Sequence, residues 1–490
     1  MKSTNNTKQA VWVAIGSLCS FGFSIVSSMI LSRYFDKTDY GTYKQVMYVY
    51  TTLLTVFTLG LPRAFSYFLP RVELSQSKNL ISKITKIFFI LGGVFSLFLF
   101  VFAPQIARFM NNPELVKALR VFAIVPFLML PTMGLDGILA TFKQTKFIAL
   151  YNILSNIFKL LCVALPVMLW DVGYIEALWG FVISSIVIFL LAMYLQYLPV
   201  RYEKNDKCEI SYKDIFNFSI PLLVASLWGV IISSSDQFFI SRYFGNEVFA
   251  DFSNGSMELP FVGMIIGACA TVLSPVFSRL SHAQVDPKKE IYPLWMSVFE
   301  KTAKLIYPLV IYCMVFADVV MTVLYGKKYA VSDSYFRIKL ITNFFTLIVY
   351  GPLIINIGKV KYYSNVHMVT AFLVVALEYL SCKTIHSPYA ISWISMLCHV
   401  GKIFAMLYLV ANFFNVKLYQ LFPVKLIVLI LIPSGFILVL ERWLLVDVLQ
   451  LNRLLVFFVS FTLYIVLYYI YSIIVKMNYI DIIKPLIRKK

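Results

Sequence analysis

An ionisable side chain deep in an apolar stretch costs about 2.5 to 3.5 kcal/mol to insert into a membrane, so it marks a polar cavity or a charged partner. Five such residues stand out in this sequence: Lys159, Arg63, Asp236, Asp136 and Glu258. Lys159 is followed by a long apolar run, Leu160 to Trp170, and preceded by one of similar length. Its ammonium cannot easily snorkel to water, which makes it the expected buried cation. Arg63 follows Gly60-Leu61-Pro62, where proline removes a backbone donor and invites a break that aims the guanidinium inward. The alternative is that Arg63 and Arg71 both belong to an interfacial helix end. Asp236 follows Ser233-Ser234-Ser235, a polar patch suited to a water-filled face or to a small-residue helix contact. Asp136, near Gly134 and Gly137, and Glu258, near Pro260, are expected to join the cavity or to serve as structural partners of Arg63 or Lys159. Asp318, Glu378 and Lys402 are expected at solvated span ends.

The surroundings of these residues define the class. Of 490 residues, 60% are hydrophobic and 14% charged, and the mean hydropathy of +0.80 leaves too little polar surface to coat a soluble globule of this size. The apolar stretches run to about 20 residues and do not alternate, which predicts helical spans and excludes a β-barrel. Fourteen are expected, from 10–33 and 44–69 through 252–277 to 452–475, in an all-α polytopic membrane protein. The first is too long for a signal-peptide core and is expected to stay as a span. The net charge of +19 sits in short tracts between the spans, a topology signal and not a nucleic-acid footprint. Lys78, Lys83, Arg201, Lys204, Lys207, Lys288, Lys289 and the tail Arg488, Lys489 and Lys490 share the side of Lys2, so both termini are expected in the cytoplasm.

Seven cysteines with no CxxC or CxxH spacing, and four histidines with no metal spacing, predict neither a disulfide framework nor a metal site. Walker A, HExxH and GxSxG patterns are missing. The expectation is a transporter without a chemical step and without a cofactor, driven by a proton or sodium gradient or by its substrate.

Two segments match one another. Ser32-Arg33-Tyr34-Phe35 returns as Ser241-Arg242-Tyr243-Phe244, and at the same offset Tyr40 corresponds to Phe249 and Tyr43 to Phe252. Each copy closes an apolar, Ser-rich run. Internal repeats of this kind mark secondary transporters, whose substrate site lies between the repeats. The expected units are six-helix bundles at 1–200 and 201–415, related by an axis along the membrane normal because six is even, with two further helices and a basic tail at 416–490.

The run Ile30 to Phe35 with Asp39-Tyr40-Gly41-Thr42-Tyr43, and its counterpart Asp236 to Gly245, resemble the helix junctions of Wzx-type polysaccharide-biosynthesis flippases of the multidrug/oligosaccharidyl-lipid/polysaccharide exporter superfamily. The resemblance extends through span count and length. It implies alternating access that carries an undecaprenyl-pyrophosphate-linked oligosaccharide from the cytoplasmic to the periplasmic leaflet of the bacterial inner membrane. It also implies transient contact with polysaccharide polymerase machinery. Lys159, Arg63 and Asp236 are the expected substrate contacts, since a pyrophosphate that leaves water needs charge-assisted hydrogen bonds in exchange. Competing readings are an ion-coupled multidrug exporter of the same superfamily and a membrane-embedded polysaccharide polymerase or ligase.

Overall fold

The structure, a computed structural model, describes residues 4–283, 285–477 and 479. Lys2 and the basic tail Arg488, Lys489 and Lys490 lie outside the described residues. Among the described residues every regular element is helical. The segments are α1 (Thr4–Tyr34), α2 (Lys37–Arg71), α3 (Leu74–Phe109), α4 (Leu115–Thr141), α5 (Thr145–Trp170), α6 (Tyr174–Val200), α7 (Tyr212–Gly255) and α8 (Pro260–His282). They continue with α9 (Pro287–Val315 and Ala317–Tyr325), α10 (Ser332–Thr346), α11 (Val360–Thr384), α12 (Pro388–Phe414), α13 (Val424–Val448) and α14 (Arg453–Ile474). By length and composition, eleven of the described helices can each cross a membrane, and α9 makes a twelfth if its two arms, bent by 77°, form one span. The two other expected spans fall on α1 and on α10, which is followed by a short helix, Gly351–Asn356, with proline in its first turn.

The chain divides into two compact units, Met1–Ala250 and Asp251–Lys490. In the first, Leu135, Leu139, Ile148, Tyr151, Ile188 and Leu195 of α4, α5 and α6 make one apolar cluster, and Phe57 of α2 stacks on Phe95 of α3 with centroids 4.3 Å apart. Prolines shape the helices: α4 runs as short pieces through Pro126 and Pro131, as expected where a ring replaces a backbone donor. The tract 201–211 lies against α3, where Lys83 Nζ donates to Cys208 O at 2.7 Å and to Ile210 O at 3.1 Å.

In the second unit, Trp295, Phe299 and Phe316 are fully buried. Tyr312 of α9 stacks on Tyr464 of α14, and Tyr464 Oη donates to Pro308 O at 3.1 Å. Asp318, expected at a solvated end, instead sits just past the bend of α9 among three arginines: Arg442, Arg453 at 2.7 Å and Arg337 at 3.7 Å. Arg442 and Arg337 also donate to Val315 O and Met314 O, satisfying carbonyls that the bend strands. Glu378 likewise departs from expectation, being fully buried in α11.

Candidate functional site

The site begins with a helix start. Asp36 caps α2, its carboxylate accepting from Asp39 N at 2.7 Å, the arrangement that satisfies an orphan donor at a helix N-terminus. The helix therefore opens at Lys37, ahead of the apolar run that placed this span at 44–69, and Lys44 lies two turns inside it. On α5, Pro166 has no N–H to offer Cys162 O, and the helix answers with a π-turn, Leu160–Ala164, in which Leu165 N bonds Leu160 O. Such bulges re-aim the residues beside them. Lys159 is the residue immediately before the bulge. Gly180 of α6 lets that backbone approach: a Cβ there would stand 2.0 Å from Cys162 O.

These devices bring Lys44 and Lys159 to one cavity of about 300 Å³ inside the first unit. Its other walls are Ser24, Ser27, Ser28 and Leu31 of α1, at the spacing of one helix face, with Tyr43, Met47, Asn156 and Phe181. Lys44 Nζ donates to Ser28 Oγ at 3.3 Å and lies 5.2 Å from the Tyr40 ring centroid. Lys159 Nζ lies 5.2 Å from the Phe181 centroid, a favourable but modest cation–π distance. No carboxylate lines the cavity, and neither lysine has an ion-pair partner among the described residues. Two ammonium groups facing hydroxyls, an amide and aromatic rings are arranged to take up an anion.

The remaining sequence candidates stand elsewhere. The helix does break before Arg63, with Leu59 and Gly60 at positive φ, and Arg63 is exposed on the short helix Pro62–Phe68. Asp136 is exposed on the neighbouring segment Leu135–Thr141, which packs against Phe65 through Gly134 and Gly137, yet the two form no ion pair among the described residues. Asp236 is buried in α7, its Oδ1 accepting from Gln237 N at 2.7 Å. Glu258 is not in a span: α8 starts at Pro260, and Glu258 is exposed in the link before it. None of these four lines the cavity of Lys159. Lys44, which does, was hidden by the span boundary, although the Asp36-Lys37-Thr38-Asp39 helix-start signal could have found it.

The matched segments also meet within this unit. Gln45 Nε2 donates to Ser241 Oγ at 2.7 Å, and Asn112 Nδ2 donates to Gln45 Oε1 at 2.6 Å and to Thr42 Oγ1 at 2.9 Å. Arg242 donates to Arg108 O and Phe109 O at the end of α3. Past it, α7 breaks at Gly245, whose φ is +83°.

Known proteins resemble this architecture. The structure of the lipid II flippase MurJ in an inward closed conformation superposes with a TM-score of 0.72 at 15% identity, covering 98% of this chain and all of that one. A multidrug resistance MATE family transporter of the MOP superfamily, inward-facing, gives 0.64 at 13% identity over 83% of this chain and 99% of that one. At these identities the likeness is one of fold. The succinoglycan biosynthesis transport protein ExoT of Rhizobium meliloti (strain 1021) is 21% identical over 66% of this chain, which spans 63% of that protein's length. Residues 7–281 match the sequence model of the family described as polysaccharide biosynthesis protein, and with more than half of its length so matched, this polytopic all-α membrane chain belongs to that family.

Proposed function

We propose that this protein is a flippase that carries a polyprenyl-diphosphate-linked oligosaccharide from the cytoplasmic to the outer leaflet of the bacterial inner membrane. The observation that carries the reading is the cavity shared by Lys44 and Lys159, which among the described residues has two cations and no carboxylate. A diphosphate gives up its hydration on leaving water, and ammonium donors replace it. A cavity of about 300 Å³ has room for that charged linkage, while the polyprenyl chain stays in lipid. The family match and the printed role of ExoT in succinoglycan biosynthesis transport support the same substrate class.

In this reading the six-helix halves, 1–200 and 201–415, alternate in access with both termini in the cytoplasm, and a proton or sodium gradient or the substrate drives the cycle. Arg63 and Asp236, the other expected contacts, lie outside this cavity. The resemblance to a MATE transporter makes export of organic cations the second reading, but such a cargo calls for a carboxylate where this cavity presents lysines. Reconstitution of the protein alone in liposomes with a fluorescent polyprenyl-diphosphate disaccharide tests the proposal. Dithionite-inaccessible probe should become accessible only in vesicles that contain the protein, and no acceleration over empty vesicles would refute it.

A further inference from the structure

A second cavity opens in the other unit, a groove of about 740 Å³ along α11 and α12, the size of a small-molecule site. The two helices are antiparallel neighbours pinned together where Tyr362 Oη donates to Ala405 O at 2.8 Å. The walls are Asn365, Val369 and Leu373 on α11 with Leu397 and Gly401 on α12, spaced by four residues along each helix and so confined to one face of each. Val369, Leu373 and Leu397 are all about half or more exposed.

Within this apolar groove lies Lys402. It is fourteen residues from Pro388 and twelve from Phe414, about 18 Å of helix from the nearer end, against a hydrocarbon half-thickness of about 15 Å. Its ammonium has no hydrogen-bond or ion-pair partner among the described residues, and neither has the Asn365 amide in the same groove. The hydroxyls of Tyr362 and Thr370 are already committed to Ala405 O and Val366 O. A cation and an amide donor at the side of an open apolar channel match one kind of ligand, a hydrocarbon chain that ends in an anion.

The geometry points to a binding site for a linear polyprenyl phosphate, its first isoprene units along Val369, Leu373 and Leu397 and its phosphate on Lys402 and Asn365. The assignment rests on the lipid-carrier reading above and adds a second waypoint to it. A diacyl phospholipid fits less well, because its phosphate is fixed in the interface by two chains while Lys402 lies well inside the span. Gly401 leaves the floor of the channel empty: a Cβ there meets nothing within 4 Å, so a large side chain at this position fills the groove without displacing the protein.

Photolabelling of the full-length protein in phosphatidylethanolamine nanodiscs tests the site, with undecaprenyl monophosphate carrying a diazirine on its first isoprene unit as the probe. Labelled peptides should map to α11 and α12. Labelling should fall at least fivefold in Lys402→Gln, recover in Lys402→Arg, and vanish in Gly401→Phe, which retains Lys402. Undiminished labelling in both Lys402→Gln and Gly401→Phe would overturn the proposal. Displacement by phosphatidylglycerol as effective as by unlabelled undecaprenyl phosphate would assign the groove to bilayer phospholipid and overturn it as well. Labelling needs no transport, so a protein that labels but does not flip refutes the flippase reading alone, and one that flips but does not label refutes the groove alone.

Discussion

Thr38 Oγ1 donates to Glu247 Oε1 at 3.0 Å, and the two residues are 209 positions apart, the same interval that separates Ser32-Arg33-Tyr34-Phe35 from Ser241-Arg242-Tyr243-Phe244. A residue that touches its own counterpart is the signature of a two-fold relation between the segments, since only points near such an axis meet their equivalents. Around this pair the junction of α1 with α2 and the end of α7 form a polar seam, with Asn246 Nδ2 donating to Thr38 O and Thr42 Oγ1, each at 3.3 Å.

Gly41 is the tightest point of the seam. A Cβ there would stand 2.1 Å from Asn246 O, and a backbone carbonyl cannot swing away as a side chain would. Gly41→Ala should therefore force α2 off α7 and destabilise the protein by about 1 to 3 kcal/mol. The check is the thermal midpoint in mild detergent. It should drop for Gly41→Ala and stay low in Gly41→Ala/Asn246→Ala, because the clash is with backbone.

Gln45 is buried and bridges Asn112 to Ser241. Gln45→Leu strands both partners, at about 1 to 3 kcal/mol. In a double-mutant cycle with Ser241→Ala the second change should add little, giving a coupling of about 1 kcal/mol. Strict additivity of the two losses would show that the bond contributes nothing.

Asp318 holds three arginines at the bend of α9. Asp318→Asn should leave Arg442 and Arg453 mutually repelling and cost about 2 kcal/mol, a figure kept modest by the partial exposure of the cluster. Limited proteolysis at the link of residues 449–452 should quicken. Resistance equal to wild type would place the hold of α13 and α14 elsewhere.

Much of this was legible in the sequence because hydrocarbon imposes long apolar runs and penalises charge within them. The spans followed from the first constraint, and Lys159 from the second: its distance from both ends of α5 requires a polar cavity whatever the packing. Hydropathy fails at the ends of helices. Lys44 was lost because the charged turn Lys37 to Lys44 reads as loop until Asp36 is recognised as a cap, and Glu258 was misplaced because the apolar composition of 252–277 runs through a non-helical link. The burial of Glu378 and the arginine cluster on Asp318 depend on which faces meet, and no local pattern encodes that.

Pro166 should be the residue that orients Lys159. Pro166→Ala restores the missing donor to Cys162 O, and closing the π-turn would rotate the preceding helix by about 100°. A cysteine placed at position 159 should react with aqueous maleimide while Pro166 is kept, and severalfold more slowly once Pro166→Ala is added. Equal rates would mean that the bulge does not set the side chain's direction.

The central claim is that Lys159 and Lys44 together bind the diphosphate of a lipid-linked glycan. Flipping of the fluorescent polyprenyl-diphosphate disaccharide by purified variants in liposomes tests it most directly. Lys159→Ala and Lys44→Ala should each abolish flipping with folding and reconstitution unchanged, and Lys159→Arg should keep part of the rate. Wild-type flipping by the Lys159→Ala, Lys44→Ala double variant would contradict the claim.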